Sequence, residues 1–527
     1  MKNTIKILGL AVVIAAISFS MTACEEPKDP TPRVGDYEFG NLLQVEGSVT
    51  AVTVTPRYGG IPAASAIYYD GETDVPQEAG EYAVTFDVAK VKGYQAASGL
   101  SAGTLVVEKI PNPFTSIASL ATWLASHPDN TADNPYNIKL DVGSLGGDSG
   151  TAGSLGKALR DNTTKYVKLD LSDSTFTSIE SSAFNPYSNA DGGTSIEINL
   201  VEIIIPGTVT SIGNSAFTNC SKLVKVNIPD GVTRIEEKTF SGCTGLTGIK
   251  IPDGVTYIGS QAFASSGLTS VTIPANVITV TAGAFSGCAN LTEIIVVDGN
   301  ERYISVEGVL YLTYNSEKVL AQYPLGKTGA TFEIPSDVTI IGGNAFSECK
   351  FTSMTIPNTI TQIEGSAFAY SSLTSIEIPV SVTSIGMSAF SYCESLAEAK
   401  IGGGIIGAQA FDQCNNLVTV NLGNVTRINQ YAFYGCEKLA SITIPSSVTN
   451  IYQYAFFGTN LVSVTFEEPD STLTLGTGTT NIVPAFAYNL DAVYKASTGG
   501  AGTYTRERNA NNTYTWTKSA EEEEEEG

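Results

Sequence analysis

The chain has 527 residues, with 29 Lys and Arg against 53 Asp and Glu, a single His and a formal net charge of −24. Neutralising phosphates requires clustered cations, so this balance excludes nucleic acid as a partner. The 42% hydrophobic fraction is that of a folded protein, and the length exceeds what one compact core holds.

In chain order, Lys2 and Lys6 precede an apolar run from Ile7 to Phe19, and Thr22 and Ala23 stand before Cys24. A spanning helix needs about 20 apolar residues, so residues 1–23 read as an export signal. Met21-Thr22-Ala23-Cys24 resembles the lipobox of bacterial lipoproteins. The resemblance implies that Cys24 is lipidated at sulfur and becomes the mature N-terminus. It also implies an exported protein held to the bacterial envelope, at the outer membrane or cell surface, with the membrane as partner through the N-terminal lipid. Acyl burial contributes about 0.8 kcal/mol per CH₂, and two chains anchor stably where one is marginal. Residues 24–35, with EEPKDPTPR, form a polar tether. A plain secretory signal with an incidental Cys is the alternative.

Residues 36–109 alternate apolar and polar positions in short runs bounded by Gly and Pro, such as AVTVTPRY and EYAVTFDVAKV. Period-two patterning at this spacing predicts a small β-sandwich. GEYAVTFDVAKVKGYQAASGLSAGTLVVEK resembles the Ig-like β modules that recur as spacers in bacterial surface proteins, which implies a stalk. Residues 110–165 read as a helical connector or N-terminal cap. Ile117, Leu120, Trp123 and Leu124 lie at helical spacing, with Ser116 as N-cap and Pro128 beyond the end. His127 closes this helix, where a dipole contact explains it.

Over residues 166–470 the chain is periodic. Phe184, Phe217, Phe240, Phe263, Phe285, Phe346, Phe368, Phe390, Phe411, Phe433 and Phe456 recur at steps of 21 to 23 residues, apart from two long gaps. Ile-Pro repeats in phase, from Ile205-Pro206 to Ile444-Pro445, while Ile401-Gly402 and Leu422-Gly423 lack the Pro. A typical unit is Leu246-x-x-Ile249-x-Ile251-Pro252-x-x-Val255-x-x-Ile258-x-x-x-Ala262-Phe263. Its first part alternates like a strand, and Pro, which cannot donate to a ladder, ends it. Val255, Ile258 and Phe263 return to the interior from the opposite wall. One such unit cannot bury both walls, so the copies stack into a solenoid with a continuous parallel sheet. These residues resemble the BspA-like, or treponemal-type, leucine-rich repeat family through its I-P-x-x-V-x-x-I-x-x-x-A-F-x-x-C motif. The fold class expected is therefore mainly β: a leucine-rich-repeat solenoid of about eleven repeats preceded by an Ig-like β-sandwich. Residues 297–331 resemble the hairpin-like insert that interrupts such arrays. Residues 471–527 form a C-terminal cap and an acidic tail, Glu521 to Glu526.

Cys220, Cys243, Cys288, Cys349, Cys393, Cys414 and Cys436 all stand three residues after a Phe, and Ser266, Ser371 and Thr459 fill the same place elsewhere. Buried thiols packed as small hydrophobes are the preferred reading. Disulfides between neighbouring turns, Cys220 with Cys243 or Cys414 with Cys436, stay open. No metal is expected, because the thiols come one per turn without a CxxC pair, and no cofactor is implied. Nucleophilic catalysis lacks a base beside any thiol and a Gly-x-Ser-x-Gly elbow. No catalytic residue is assigned, and the chain is read as non-enzymatic.

The outward positions of the strand wall form the candidate binding face: Lys225, Asn227, Lys250, Ser270, Thr272, Ser353, Thr355, Ser375, Glu377, Glu398, Lys400, Asn421, Ser441 and Thr443. Being rich in hydroxyls and free of aromatics, this face suits a wide, multivalent contact. A solvated strand surface explains it equally. Tyr431, Tyr434, Tyr452 and Tyr454 form a candidate aromatic patch, which packing against the cap also explains. The family resemblance implies adhesion, with an extracellular or envelope protein or a glycan as partner in host or cell–cell contact. The alternative is a structural, envelope-organising scaffold. A carbohydrate-active enzyme comes third, for want of two facing carboxylates.

Overall fold

The computed structural model describes residues 34, 37–40, 43–45, 52–57, 64–69, 72–75, 80–88, 97–108, 110–186, 196–314, 317–327, 332–467, 473–475, 486, 490, 501–508 and 514–519. The expected export signal, the lipidated Cys24, the tether up to residue 33 and the acidic tail lie outside the described residues. The chain divides into two compact units, Met1–Lys109 and Ile110–Gly527.

In the first unit, Tyr37–Gly40 pairs antiparallel with Thr53–Pro56. A second sheet runs Leu43–Val45, Ala97–Glu108, Gly80–Val88, Ala64–Tyr69 in spatial order. Alternation along Gly80–Val88 sends Val84, Phe86 and Val88 inward, and the Tyr37 ring meets Phe86 edge-on at 5.0 Å. The buried Tyr69 hydroxyl accepts the Val52 N–H at 2.8 Å, so its polar end is satisfied. These strands are compatible with an Ig-like module.

The second unit opens with the expected helix, Ile117–Ser126, capped by Ser116, whose hydroxyl accepts the Ser119 N–H. Leu120, Trp123 and Leu124 are its buried residues. Unexpected from the sequence is the strand Tyr136–Lys139, which runs parallel to Val167–Asp170 and begins the solenoid ladder. A short helix, Leu155–Arg160, follows.

From there the repeats wind as a solenoid whose turns each present two walls. The first wall carries the strands of the L-x-x-I-x-I half, among them Leu200–Ile204, Ser270–Ile273, Glu293–Val296, Ser375–Ile378, Ser441–Ile444 and Ser463–Phe466. Each Pro ends its strand, and its carbonyl accepts the N–H three residues on, as Val255 N donates to Pro252 O at 3.1 Å. The wall is divided into several ladders rather than one continuous sheet. The second wall, expected only to return apolar residues, carries its own parallel ladder of two-residue strands, including Arg234–Ile235, Tyr257–Ile258, Gln362–Ile363 and Ser384–Ile385. Threonines reinforce it: Thr256, Thr361 and Thr383 each donate a hydroxyl to the threonine carbonyl one turn earlier.

The phenylalanines stack in a column between the walls. Successive rings from Phe346 to Phe456 lie 5.0 to 5.2 Å apart and within 8° of parallel. Phe486 extends the stack at 4.8 Å beyond Phe456. In the insert, Glu317–Gln322 joins the second wall parallel to Ile340–Ile341, and Tyr323 takes the ring place beside Phe346 at 5.6 Å. The insert thus contains a degenerate turn. Where the insert breaks the ladder, the exposed edge is covered: Val280 N donates to the Tyr303 hydroxyl at 2.7 Å, and the Asn300 amide donates to Pro274 and Val277 carbonyls.

Candidate binding surface

Period-two geometry turns Ile and Val of each first-wall strand inward and the residues between them outward. Parallel register then lines the outward residues into columns. Ser375 faces Glu398 and Thr419 in turn, and Glu377 faces Lys400 and Asn421. Ser270 pairs with Glu293, Ser441 with Ser463, and Thr443 with Thr465. Thr355 bridges to Glu377.

Ser353, Thr355, Ser375, Glu377, Lys400, Asn421, Ser441, Thr443, Thr272, Lys225 and Lys250 are exposed, and Ser270 and Glu398 half-buried. Their surroundings differ. Asn227 clamps the ladder: its amide donates to Ile205 O at 2.9 Å and its carbonyl accepts Ile205 N at 2.6 Å. Its hydrogen-bonding capacity is therefore spent on architecture. Lys225 pairs with Glu202 at 2.7 Å and Lys400 with Glu398 at 3.5 Å, both open to water and worth little as ion pairs. Among the described residues Lys250 has no ion-pair partner.

Two clefts open on this wall just past the insert. One, about 440 Å³, is lined by Glu333, Ser353, Met354, Thr355 and Pro357. The other, about 290 Å³, holds Glu377, Lys400 and Asn421 beside Val380, Gly402 and Gly423. The second exists because two turns lack the Pro. The strands Glu398–Ile406 and Thr419–Ile428 continue from the first wall into the second, with a register shift between Gly404 and Ile405. A Cβ on Gly402 would stand 2.5 Å from Val380 N, and one on Gly423 would stand 2.5 Å from Gly402 O, so only glycine permits the approach. The absent Pro at 402 and 423 was the sequence signal for this notch.

Of the aromatic patch, Tyr431, Tyr434 and Tyr454 come together with Phe457. Tyr431 stacks on Tyr454 at 5.0 Å, Tyr434 on Phe457 at 6.1 Å, and the two pairs meet edge-on. Tyr452 lies outside this four-ring cluster. Sequence reasoning missed Tyr370 and Tyr392, which stack at 5.0 Å and are exposed. Their signal was present, a Tyr two residues after Phe368 and Phe390.

The seven cysteines are free and buried. Cys243 donates its thiol to Phe217 O at 3.1 Å, and Cys393, Cys414 and Cys436 repeat the contact on Phe368, Phe390 and Phe411. Burial pushes the Cys243 and Cys349 thiols up to about 12, and Cys436 higher, so they stay protonated and unreactive. Among the described residues no group of three or more His, Cys, Asp or Glu is arranged to hold a metal ion. The adjacent acids Glu236 and Glu237 pair with Arg234 and Lys238 respectively. His127 stacks on Trp123 at 4.0 Å and bonds its carbonyl through Nδ1 at 2.7 Å, at the helix end.

The sequence matches the family model described as BspA type leucine rich repeat region, in six copies over residues 194–305, 327–424 and 404–479. Among solved structures, a leucine-rich repeat protein from Eubacterium ventriosum is 24% identical, covering 69% of this chain and 91% of that one, at a TM-score of 0.44. A leucine-rich repeat protein from Bacteroides ovatus is 28% identical, covering 56% and 76%, at 0.34. A leucine rich cell surface protein from Faecalibacterium prausnitzii is 23% identical, covering 87% and 100%, at 0.42. No curated protein matches the chain.

Proposed function

The chain belongs to the BspA-type leucine-rich repeat family, and on that footing we propose that it is a non-enzymatic, exported surface protein whose first wall binds a protein or glycan partner. The observation that supports this most is the registered file of outward residues from Thr355 to Asn421, set around two open clefts. A repeated polar file offers many equivalent weak contacts, and such contacts gain strength through multivalency. No helix among the described residues is long and apolar enough to cross a membrane, so the lipid on Cys24 supplies the anchor in this reading. Residues 36–109 act as the spacer between anchor and solenoid.

The test is a screen of the full chain against extracellular proteins and immobilised glycans, followed by the combined variant Glu377→Ala, Lys400→Ala, Asn421→Ala. We expect the variant to keep its thermal transition and lose binding by roughly tenfold or more, the scale of truncating central interface residues. A hit whose affinity is unchanged in this variant would remove the first wall from the reading.

A further inference from the structure

The corners after each Ala-Phe pair project side chains along one edge of the solenoid, separate from the first wall. Tyr370 and Tyr392, each two residues past its Phe, stack there at 5.0 Å and 7°, and are 57% and 40% exposed. Two turns further on begins the cluster of Tyr431, Tyr434, Tyr454 and Phe457. The turn between the two groups supplies no ring at this edge; it supplies Gln409, Asp412 and Gln413. Its backbone ties them together: Tyr392 N donates to Asp412 O and Gln413 N to Tyr434 O, both at 2.8 Å.

Asp412 is only 8% exposed, and its Oδ1 has no hydrogen-bond partner. Burial holds its carboxyl above the usual range, and the Gln413 side chain offsets that only in part. The corners from Phe346 to Leu461 carry four acids, Glu348, Glu394, Asp412 and Glu437, against Lys350 and Lys438. Elsewhere this chain covers tyrosines, among them the exposed Tyr314, with its own cations. Arg234 lies 3.8 Å over Tyr257, Arg302 4.5 Å over Tyr314 and Lys318 4.6 Å over Tyr311. Among the described residues no cation lies over Tyr370, Tyr392, Tyr431, Tyr434 or Tyr454.

We propose that this edge is a second binding surface, which recognises an Arg- or Lys-bearing extended segment of a partner protein. Its guanidinium or ammonium groups stack on the tyrosines and pair with the corner acids. Cations are drawn to the negative face of an aromatic ring, and Tyr offers a large contact at small entropic cost. The inference rests on the solenoid being a binding scaffold, but it uses a different surface from the first wall.

The full chain is titrated with a labelled short peptide alternating Arg and Ser, and with its Glu counterpart. The Arg peptide binds, added salt weakens it, and the Glu peptide does not bind. Tyr370→Ala with Tyr392→Ala weakens binding by about fivefold or more, the scale of two exposed cation–π contacts, while Tyr370→Phe with Tyr392→Phe retains it. The first-wall variant carrying Ala at 377, 400 and 421 keeps Arg-peptide binding, so failure of the two readings is distinguishable. Equal binding of both peptides, or an unchanged tyrosine-to-alanine variant of unaltered thermal transition, overturns the proposal. Loss in that variant of a neutral oligosaccharide ligand, with no response to the Arg peptide, assigns the edge to a glycan and also overturns it.

Discussion

In the column after Phe, Cys243, Cys349 and Cys436 behave as protonated apolar fillers, and their environment says why. Cys243 and Cys436 are fully enclosed, and a thiolate there loses its hydration without a cation to replace it. The folded thiol therefore binds its proton more tightly than the unfolded one, so stability is fully present below the ordinary thiol value near 9. It falls as pH rises from there through the folded value of about 12 for Cys243 and Cys349. Urea unfolding across this alkaline window should show a steady loss that Cys243→Ser reduces. Thiol-reactive dyes at neutral pH should label the native chain slowly and the unfolded chain at once; rapid native labelling would contradict buried thiols. The place of these residues was legible in the sequence, because Ser266, Ser371 and Thr459 fill the same position and rule out a pairing partner in every turn. Ser371 indeed lies 3.2 Å from the Cys393 sulfur, as a small polar neighbour rather than half of a bridge.

At the scale of one element, the repeat motif made the first-wall strands and the Phe column legible, since Ile-x-Ile-Pro and Ala-Phe each have one physical reading. It did not announce the second ladder, whose strands are two residues long and carry no period of their own. Nor did it reveal Tyr323, which enters the ring column from within an insert whose antiparallel strands obscure the turn, or Phe486, beyond the last Ile-Pro. On the candidate face the motif showed which residues point outward, yet not that Asn227 spends its amide on Ile205 or that losing two prolines opens a cleft. Two glycines of the solenoid, one on the strand that passes the notch and one far from it, give a sharp test. Gly404 has φ of +83°, and a Cβ there would meet Thr383 O at 2.5 Å. Gly404→Ala should lower the thermal transition, by about 1–3 kcal/mol for a side chain forced into a left-handed position against backbone. Gly248→Ala, where a Cβ meets nothing within 4 Å, should stay within about 0.5 kcal/mol of wild type. Equal effects of the two would refute the strain account.

At the scale of the molecule, a solenoid is stabilised by nearest-neighbour interfaces, and its last turn has an exposed edge. Here Gly502–Arg508 lies antiparallel on Ser463–Phe466, and Tyr514–Lys518 follows antiparallel outside it. Tyr504 and Trp516 are buried in the same core as the Phe column, and Thr465 and Thr503 share a hydrogen bond at 2.9 Å. The reversal of strand direction matters: a parallel edge would match the next copy's first wall, whereas the added hairpin ends the array with a different pairing pattern. Ending the chain at residue 500 strips both strands, leaves Ser463–Phe466 as the edge and uncovers Phe466. Such a truncated chain should form soluble oligomers by light scattering. Its hydrogen-exchange protection should fall in the turns around Phe433 and Phe456 while the turns around Phe217 and Phe240 keep theirs, since each turn touches only its neighbours. Uniform loss of protection along the whole array would mean that the solenoid folds as one cooperative block, and a monomeric truncation with intact last turns would mean that the hairpin is not a cap.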